Sequence, residues 1–147
     1  MIKIQIPATS ANLGAGFDAL GLALTYYNYI EMEECDKIDI TAADGLDIPT
    51  DERNLIYISA KDLFAVCGKK LEGLKLIQTS NIPMARGLGS SSACIIAGLV
   101  GANKMLGDPL TKDDLVDLAA QIEGHPDNTA PALLGGIVTA VFDGRKV

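Results

Sequence analysis

The chain has 147 residues, of which 48% are hydrophobic and 21% charged, a composition that indicates one globular domain rather than a disordered segment. Its formal net charge is −7 and its lysines and arginines are not clustered, which argues against a nucleic-acid surface. The three cysteines form no Cys-x-x-Cys pair, and no signal-peptide pattern or membrane-length apolar stretch occurs, so we expect a soluble protein of the reducing cytoplasm without membrane contact.

The first part of the chain predicts a strand followed by a loop of small residues. Isoleucine alternates with polar residues over 2–6, the pattern of a half-buried strand, and Pro7 is expected to end it. Residues 8–21 contain three glycines and three candidate polar contacts, Ser10, Asn12 and Asp18. Small residues allow close approach of a ligand to the backbone, but a compact connection whose Asn and Asp cap turns explains the segment equally well.

The middle of the chain predicts a hairpin, a loop, a helix and a strand. The strand-like run from Leu22 to about Thr41 is interrupted at Asp36-Lys37, where we expect a hairpin turn. A loop from Asp44 to Arg53 leads into a helix from about Asn54 to Cys67, predicted from apolar residues at helical spacing. The strand predicted over 74–80 then delivers the chain to a glycine-rich segment.

Residues 83–93 carry the strongest local signal for a ligand. They are Pro83, Met84, Ala85, Arg86, Gly87, Leu88, Gly89, Ser90, Ser91, Ser92 and Ala93. The glycines allow backbone N–H groups to converge on an anion, and the serines supply hydroxyls and the N-cap of the next helix, whose positive end favours phosphate.

This glycine-rich segment matches neither of two common nucleotide signatures. No Gly-Lys-Ser or Gly-Lys-Thr of a P-loop occurs, and a serine holds the third glycine position of a dinucleotide fingerprint. A flexible turn before a buried helix is the alternative interpretation. Three consecutive serines favour the phosphate-binding interpretation, because one capping residue would have sufficed.

The last third of the chain predicts two helices and a strand. We expect a helix over about 91–106 that is buried nearly all round, a second helix that ends at Glu123, and an apolar strand over 135–142. A carboxylate at a helix C-terminus opposes the dipole, which suggests a cation ligand, although a solvated glutamate is the commoner explanation. His125, the only histidine, lacks the second histidine or cysteine of a zinc site and is more often structural.

Taken together, several stretches resemble the homoserine kinases of the GHMP small-molecule kinase superfamily. They are residues 7–14, 16–18, 83–93 and 123–131. The resemblance implies an α+β fold, a mostly antiparallel sheet with helices on one face as in the GHMP kinase N-terminal domain; the alternation of strands and helices alone would equally suggest a doubly wound sheet. It also implies ATP-dependent phosphorylation of the side-chain hydroxyl of L-homoserine, in the synthesis of threonine.

The resemblance implies roles in nucleotide and metal binding for particular residues. Residues 83–93 would wrap the triphosphate of ATP, and Asn54 lies where the family approaches the adenine. Ser91 and Glu123 would hold Mg²⁺. The transfer implied is direct and in line, dominated by positioning and charge neutralisation.

For the phosphoryl acceptor, the resemblance implies a second set of residues. Asn12, Asp18 and His125 match positions that hold the amino-acid substrate, although the short spacing between Glu123 and His125 departs from some homoserine kinases. Asn128 stands where several relatives place an aspartate base. Because an amide takes up no proton at neutral pH, we expect Asn128 to orient groups instead.

Family members are about twice as long as this chain, and their second domain carries arginines for the substrate carboxylate. The resemblance therefore implies that residues 1–147 are the N-terminal, ATP-binding domain, without the C-terminal domain and with little activity in isolation. Two alternatives stay open: another GHMP kinase with a mevalonate-like or sugar substrate, and a non-catalytic binding module of the same fold. The sequence leaves the oligomeric state, including a homodimer, open.

Overall fold

A five-stranded sheet runs through the computed structural model, which describes residues 1–43 and 45–147. Its strands are β1 (Ile2–Ala11), β2 (Leu20–Cys35), β3 (Ile38–Ala42), β4 (Gly73–Ser80) and β5 (Ile137–Thr139). The order is β1-β2-β4-β3, and β5 pairs with the beginning of β2. Only the β3–β4 pair is parallel within this described part, which confirms the mostly antiparallel sheet.

The helices of the described residues pack around a buried central helix. They are α1 (Leu55–Val66), α2 (Ser90–Met105), α3 (Lys112–Glu123) and α4 (Thr129–Leu134). Close packing of α2 depends on its glycines, since a Cβ on Gly98 would lie 2.4 Å from the carbonyl oxygen of Ile56, and one on Gly101 would lie 2.0 Å from Met32 Sδ. None of these helices is both long and apolar enough to cross a membrane.

One face of the sheet supplies the core. The buried strand residues that join the helix side chains in a single hydrophobic cluster alternate with more exposed polar positions. They include Ile4, Ile6, Ile30, Met32, Leu74 and Leu76. The helices therefore cover the apolar face, as expected for this fold class.

Three strand predictions are wrong. The apolar strand predicted over 135–142 is only the three-residue β5 (Ile137–Thr139), whose Ile137 is 71% exposed, so apolar composition did not indicate a buried strand there. Pro7 does not end β1, which continues through a bulge between Pro7 and Thr9, and a proline is tolerated there because β1 lies at the sheet edge. The turn at Asp36-Lys37 does not make a hairpin, because β3 pairs in parallel with β4 after the α1 crossover. Of the loop predicted from Asp44 to Arg53, residues 45–53 form neither helix nor strand, and Asp44 lies outside the described residues.

Asn54 begins α1, at the residue where the sequence predicts the helix start. Its Oδ1 accepts hydrogen bonds from the N–H groups of Ile56 at 3.0 Å and Tyr57 at 3.3 Å. Its Nδ2 donates to the carbonyl oxygen of Pro49 at 2.9 Å. The buried side chain is therefore a helix cap that also fixes the preceding loop.

Asn54→Ala should lower the free energy of unfolding by about 1–2 kcal/mol, because the first turn of α1 loses its capping acceptor. Urea denaturation followed by circular dichroism measures the loss. Asn54→Asp is the matched control, since it keeps the acceptor and gives up only the bond to Pro49, and it should lose less. Equal losses in the two variants would show that capping is not the main role of this side chain.

Candidate functional site

The segment between β4 and α2 forms one wall of a cleft of about 490 Å³. The other walls come from the end of β1, the end of α3 and the residue before α4. The lining residues are Ala11, Asn12, Pro83, residues 85–92, Glu123 and Asn128. The fold thus brings most of the predicted phosphate and metal residues to one place.

Two residues of the predicted phosphate segment lie outside this cleft. Met84 lines a neighbouring cleft together with Asn54. Ala93 is fully buried in the core, and its N–H donates to the carbonyl oxygen of Gly89 at 2.9 Å. Ala93 therefore offers the cleft neither a side chain nor a spare donor.

The glycine-rich segment turns into α2 through left-handed backbone at Ala85, Gly87 and Gly89. The prediction that a serine caps α2 is wrong: the N-cap is Gly89, with φ 64°, and no side chain caps the helix. The first N–H groups of α2 have no partner within the helix. They are left for a ligand or solvent at the positive end of a sixteen-residue helix.

Thr9 anchors this segment, and the sequence analysis missed it. Its N–H donates to the carbonyl oxygen of Leu88 at 3.1 Å, and its Oγ1 donates to Asn128 Oδ1 at 2.8 Å. A Cβ on Gly89 would lie 2.0 Å from Thr9 Oγ1 and 3.2 Å from Asn128 Oδ1. Thr9 therefore joins β1, the glycine-rich segment and Asn128, and Gly89 is required where they meet.

Ser91, Ser92 and Glu123 form a cluster of oxygen atoms in the cleft. Both serine hydroxyls donate to Glu123 Oε1, at 2.9 Å from Ser91 and 3.0 Å from Ser92. Glu123, the last residue of α3, is half-buried and accepts both of these hydrogen bonds. Among the described residues, no three His, Cys, Asp or Glu side chains gather into a metal site, so a cation here would also need hydroxyl, water or ligand oxygens.

Of the three residues predicted to hold the acceptor, only Asn12 lines this cleft. Asn12 and Asp18 both have positive φ, and Asn12 Oδ1 accepts from the N–H of Asp18 at 2.8 Å. Asp18 and His125 line a second cavity of about 320 Å³ with Ala19 and residues 140–142. His125 Nδ1 lies 2.5 Å from Oδ1 of the buried Asp127, a contact that sequence reasoning did not predict.

A smaller cleft of about 160 Å³ adjoins the start of α2 and is lined in part by Asn54, Ser90 and Cys94. Burial raises the pKa of the Cys94 thiol to about 11, although hydrogen bonds from Gln78 and Asn28 act in the opposite direction. Gln78 Nε2 also donates to Asn28 Oδ1 at 3.1 Å. The thiol is therefore neutral at pH 7, and a role as nucleophile is disfavoured.

A family model described as the GHMP kinases N terminal domain matches residues 54–136. The chain belongs to the GHMP kinases. The matched region contains the glycine-rich segment and the Ser91–Glu123 contact.

Curated relatives cover the whole of this chain. The homoserine kinase of Carboxydothermus hydrogenoformans is 51% identical over 100% of this chain and 49% of its own length. The homoserine kinase of Caldicellulosiruptor bescii is 46% identical over 100% of this chain and 48% of its own length. The chain thus spans about half the length of the curated relatives it matches.

Solved structures of GHMP kinases share the fold. The homoserine kinase of Cytophaga hutchinsonii is 33% identical, with a TM-score of 0.78 over 94% of this chain and 47% of that chain. A mevalonate kinase from Methanococcus jannaschii is 19% identical, with a TM-score of 0.73 over 99% of this chain and 55% of that chain. This second likeness concerns the fold alone.

Proposed function

We propose that residues 1–147 form the N-terminal, ATP-binding domain of an enzyme that phosphorylates the side-chain hydroxyl of L-homoserine to O-phospho-L-homoserine. One observation carries the proposal: an uncapped helix N-terminus and the Ser91–Glu123 pair share a cleft with Asn12, whose Oδ1 accepts from the N–H of Asp18 in the second cavity. The homoserine kinases that are 46–51% identical to the chain support the choice of acceptor.

The cleft fits a triphosphate accompanied by Mg²⁺. The uncapped first turn of α2 offers backbone donors to phosphate, and a Cβ on Gly87 would meet nothing within 4 Å, so the backbone there is open. Because Mg²⁺ keeps water and phosphate oxygens as ligands, Ser91 Oγ and one Glu123 oxygen are enough from the protein. When bound, ATP supplies the phosphoryl group and Mg²⁺ neutralises part of its charge.

The acceptor residues have chemistry that suits an amino acid with a hydroxyl. The Asp18 carboxylate would pair with the ammonium group, and Asn12, whose Oδ1 fixes the Asp18 backbone, would donate through its Nδ2. Asn128 is oriented by Thr9 and takes up no proton, so its role is to position groups. The enzyme would therefore rely on positioning and charge rather than on a general base.

The remaining assignments follow from the same proposal. Asn54 lines the small cleft and would contact the adenine there. The hydrogen bonds by which its side chain caps α1 fix its position. Arg86 is exposed and lines the same cleft as the glycine-rich segment, so its guanidinium would balance phosphate charge if it turns inward. Half of each curated relative has no counterpart here, so we expect little turnover from residues 1–147 alone.

Release of ADP by the complete gene product tests the proposal. We expect turnover with Mg-ATP and L-homoserine, and none above background with mevalonate or galactose. Turnover with mevalonate or a sugar, and not with homoserine, would overturn the choice of acceptor. Equilibrium dialysis of Mg-ATP against residues 1–147, with folding checked by circular dichroism, tests the nucleotide site separately. A folded chain that binds no Mg-ATP would remove the ATP-binding assignment.

A further inference from the structure

The imidazole of His125 and the carboxylate of Asp127 form an unusual pair beside the acceptor cavity. Nδ1 lies 2.5 Å from Oδ1, and the side chains are 47% and 1% exposed respectively. The His125 imidazole therefore lies between the cavity of about 320 Å³, which it lines, and the buried carboxylate of Asp127. We infer that Asp127 is a positioning residue that holds His125 with a proton on Nδ1 and turns Nε2 toward the acceptor.

Asp127 is fixed by the sheet. Gly21 lies in β2 between Ala11 of β1 and Val138 of β5. A Cβ on Gly21 would lie 1.8 Å from the carbonyl oxygen of Asp127 and 2.8 Å from Pro131 Cγ. The backbone of Asp127 thus rests directly on the strand, on a glycine that leaves no room for a side chain. The position of the Asp127 backbone, from which the carboxylate projects, is therefore restricted by β2.

The chemistry of the pair decides which ring nitrogen is available. An ionised carboxylate only accepts hydrogen bonds, so the Asp127 oxygen selects the proton on Nδ1. Nε2 is then the nitrogen left for a ligand. Because Asp18 lines the same cavity of about 320 Å³, a small molecule there would meet a carboxylate and an oriented imidazole. An amino acid with a polar side chain has an ammonium group for the Asp18 carboxylate and polar groups that can hydrogen-bond to Nε2 of His125.

A purely structural ion pair is the competing explanation, and substrate affinity separates the two. In the complete gene product, Asp127→Asn keeps the size of the side chain but lets the amide donate to Nδ1, which favours the wrong tautomer. We expect KM for L-homoserine to rise by roughly 10–100-fold, while KM for ATP stays within about twofold. Asp62→Asn, on the exposed face of α1, is the matched control and should change neither constant. Unchanged KM for homoserine in folded Asp127→Asn would overturn the inference.

Nuclear magnetic resonance reads the tautomer directly. In the complete gene product labelled with ¹⁵N-histidine, the His125 signals are those that disappear in His125→Asn. We expect a proton on Nδ1 in the parent and a shift toward Nε2–H in Asp127→Asn. An Nε2–H tautomer in the parent would overturn the inference, even if Asp127→Asn fails to fold.

The identity of the acceptor rests on the proposed function, but the choice of ring nitrogen that carries the proton in His125 does not. If the complete protein fails to phosphorylate homoserine, the proposed function fails, and the parental tautomer still decides the role of Asp127. If homoserine is phosphorylated and the parent carries the Nε2 proton, only the role of Asp127 fails.

Discussion

Glu123→Gln should lower phosphoryl transfer by the complete protein by roughly 100-fold or more while leaving the fold intact. The amide keeps the shape of the side chain and can still accept from Ser91 and Ser92, but it has no charge to hold a cation. The stability of the variant should change little, because the carboxylate opposes the dipole of α3 but accepts two hydrogen bonds at the positive end of α2. The rate of ADP release and a thermal melt measure the two effects.

Glu72→Gln is the control for this substitution. Glu72 is exposed and forms an ion pair with Lys70 at 2.9 Å. Loss of the Glu72 charge should therefore leave the rate of ADP release unchanged. Ser91→Ala should impair transfer in the same direction as Glu123→Gln, and both variants should need more Mg²⁺ for half-maximal rate. Parental rates in both variants would remove the metal assignment.

The sequence predicts local elements well where one stretch of residues carries the whole signal. Apolar residues at helical spacing predict that α1 begins at about Asn54, and the structure shows that the helix begins there with the Asn54 side chain as its cap. The turn at Asp36-Lys37 is also found between strands, but a turn signal does not say which strand pairs with β3. That choice depends on the α1 crossover and on burial of both strands against the core, which are nonlocal properties.

In the candidate site, too, the sequence predicts the features that one stretch of residues carries and misses those that depend on distant contacts. The glycine-rich segment is visible as an anion-binding pattern, and the resemblance pairs Ser91 with Glu123, which the structure places 2.9 Å apart. Thr9 gives no such signal, because its importance lies in a bond to Asn128 across a sequence separation of 119. Asp127 does follow the only histidine by two residues, but nothing in that spacing shows that the carboxylate is buried and faces the ring.

Gly89→Ala should lower the free energy of unfolding by roughly 2–5 kcal/mol and abolish measurable binding of Mg-ATP. Two costs combine: alanine is strained at φ 64°, and its Cβ would lie 2.0 Å from Thr9 Oγ1. Relief of the overlap must either turn the buried Thr9 side chain away from Asn128 or move the beginning of α2, and both changes disturb the position of the first N–H groups of the helix. Urea denaturation and isothermal titration calorimetry measure the two losses.

Gly87→Ala is the matched control, because Gly87 has φ 70° but a Cβ there would meet nothing within 4 Å. It should cost only the backbone strain of roughly 1–2 kcal/mol. A double-mutant cycle then isolates the overlap with Thr9. In a Thr9→Ala background the Oγ1 atom is gone, so Gly89→Ala should cost little more than Gly87→Ala does in the parent. If Gly89→Ala costs the same with and without the Thr9 hydroxyl, the contact with Thr9 is not what requires glycine at the beginning of α2.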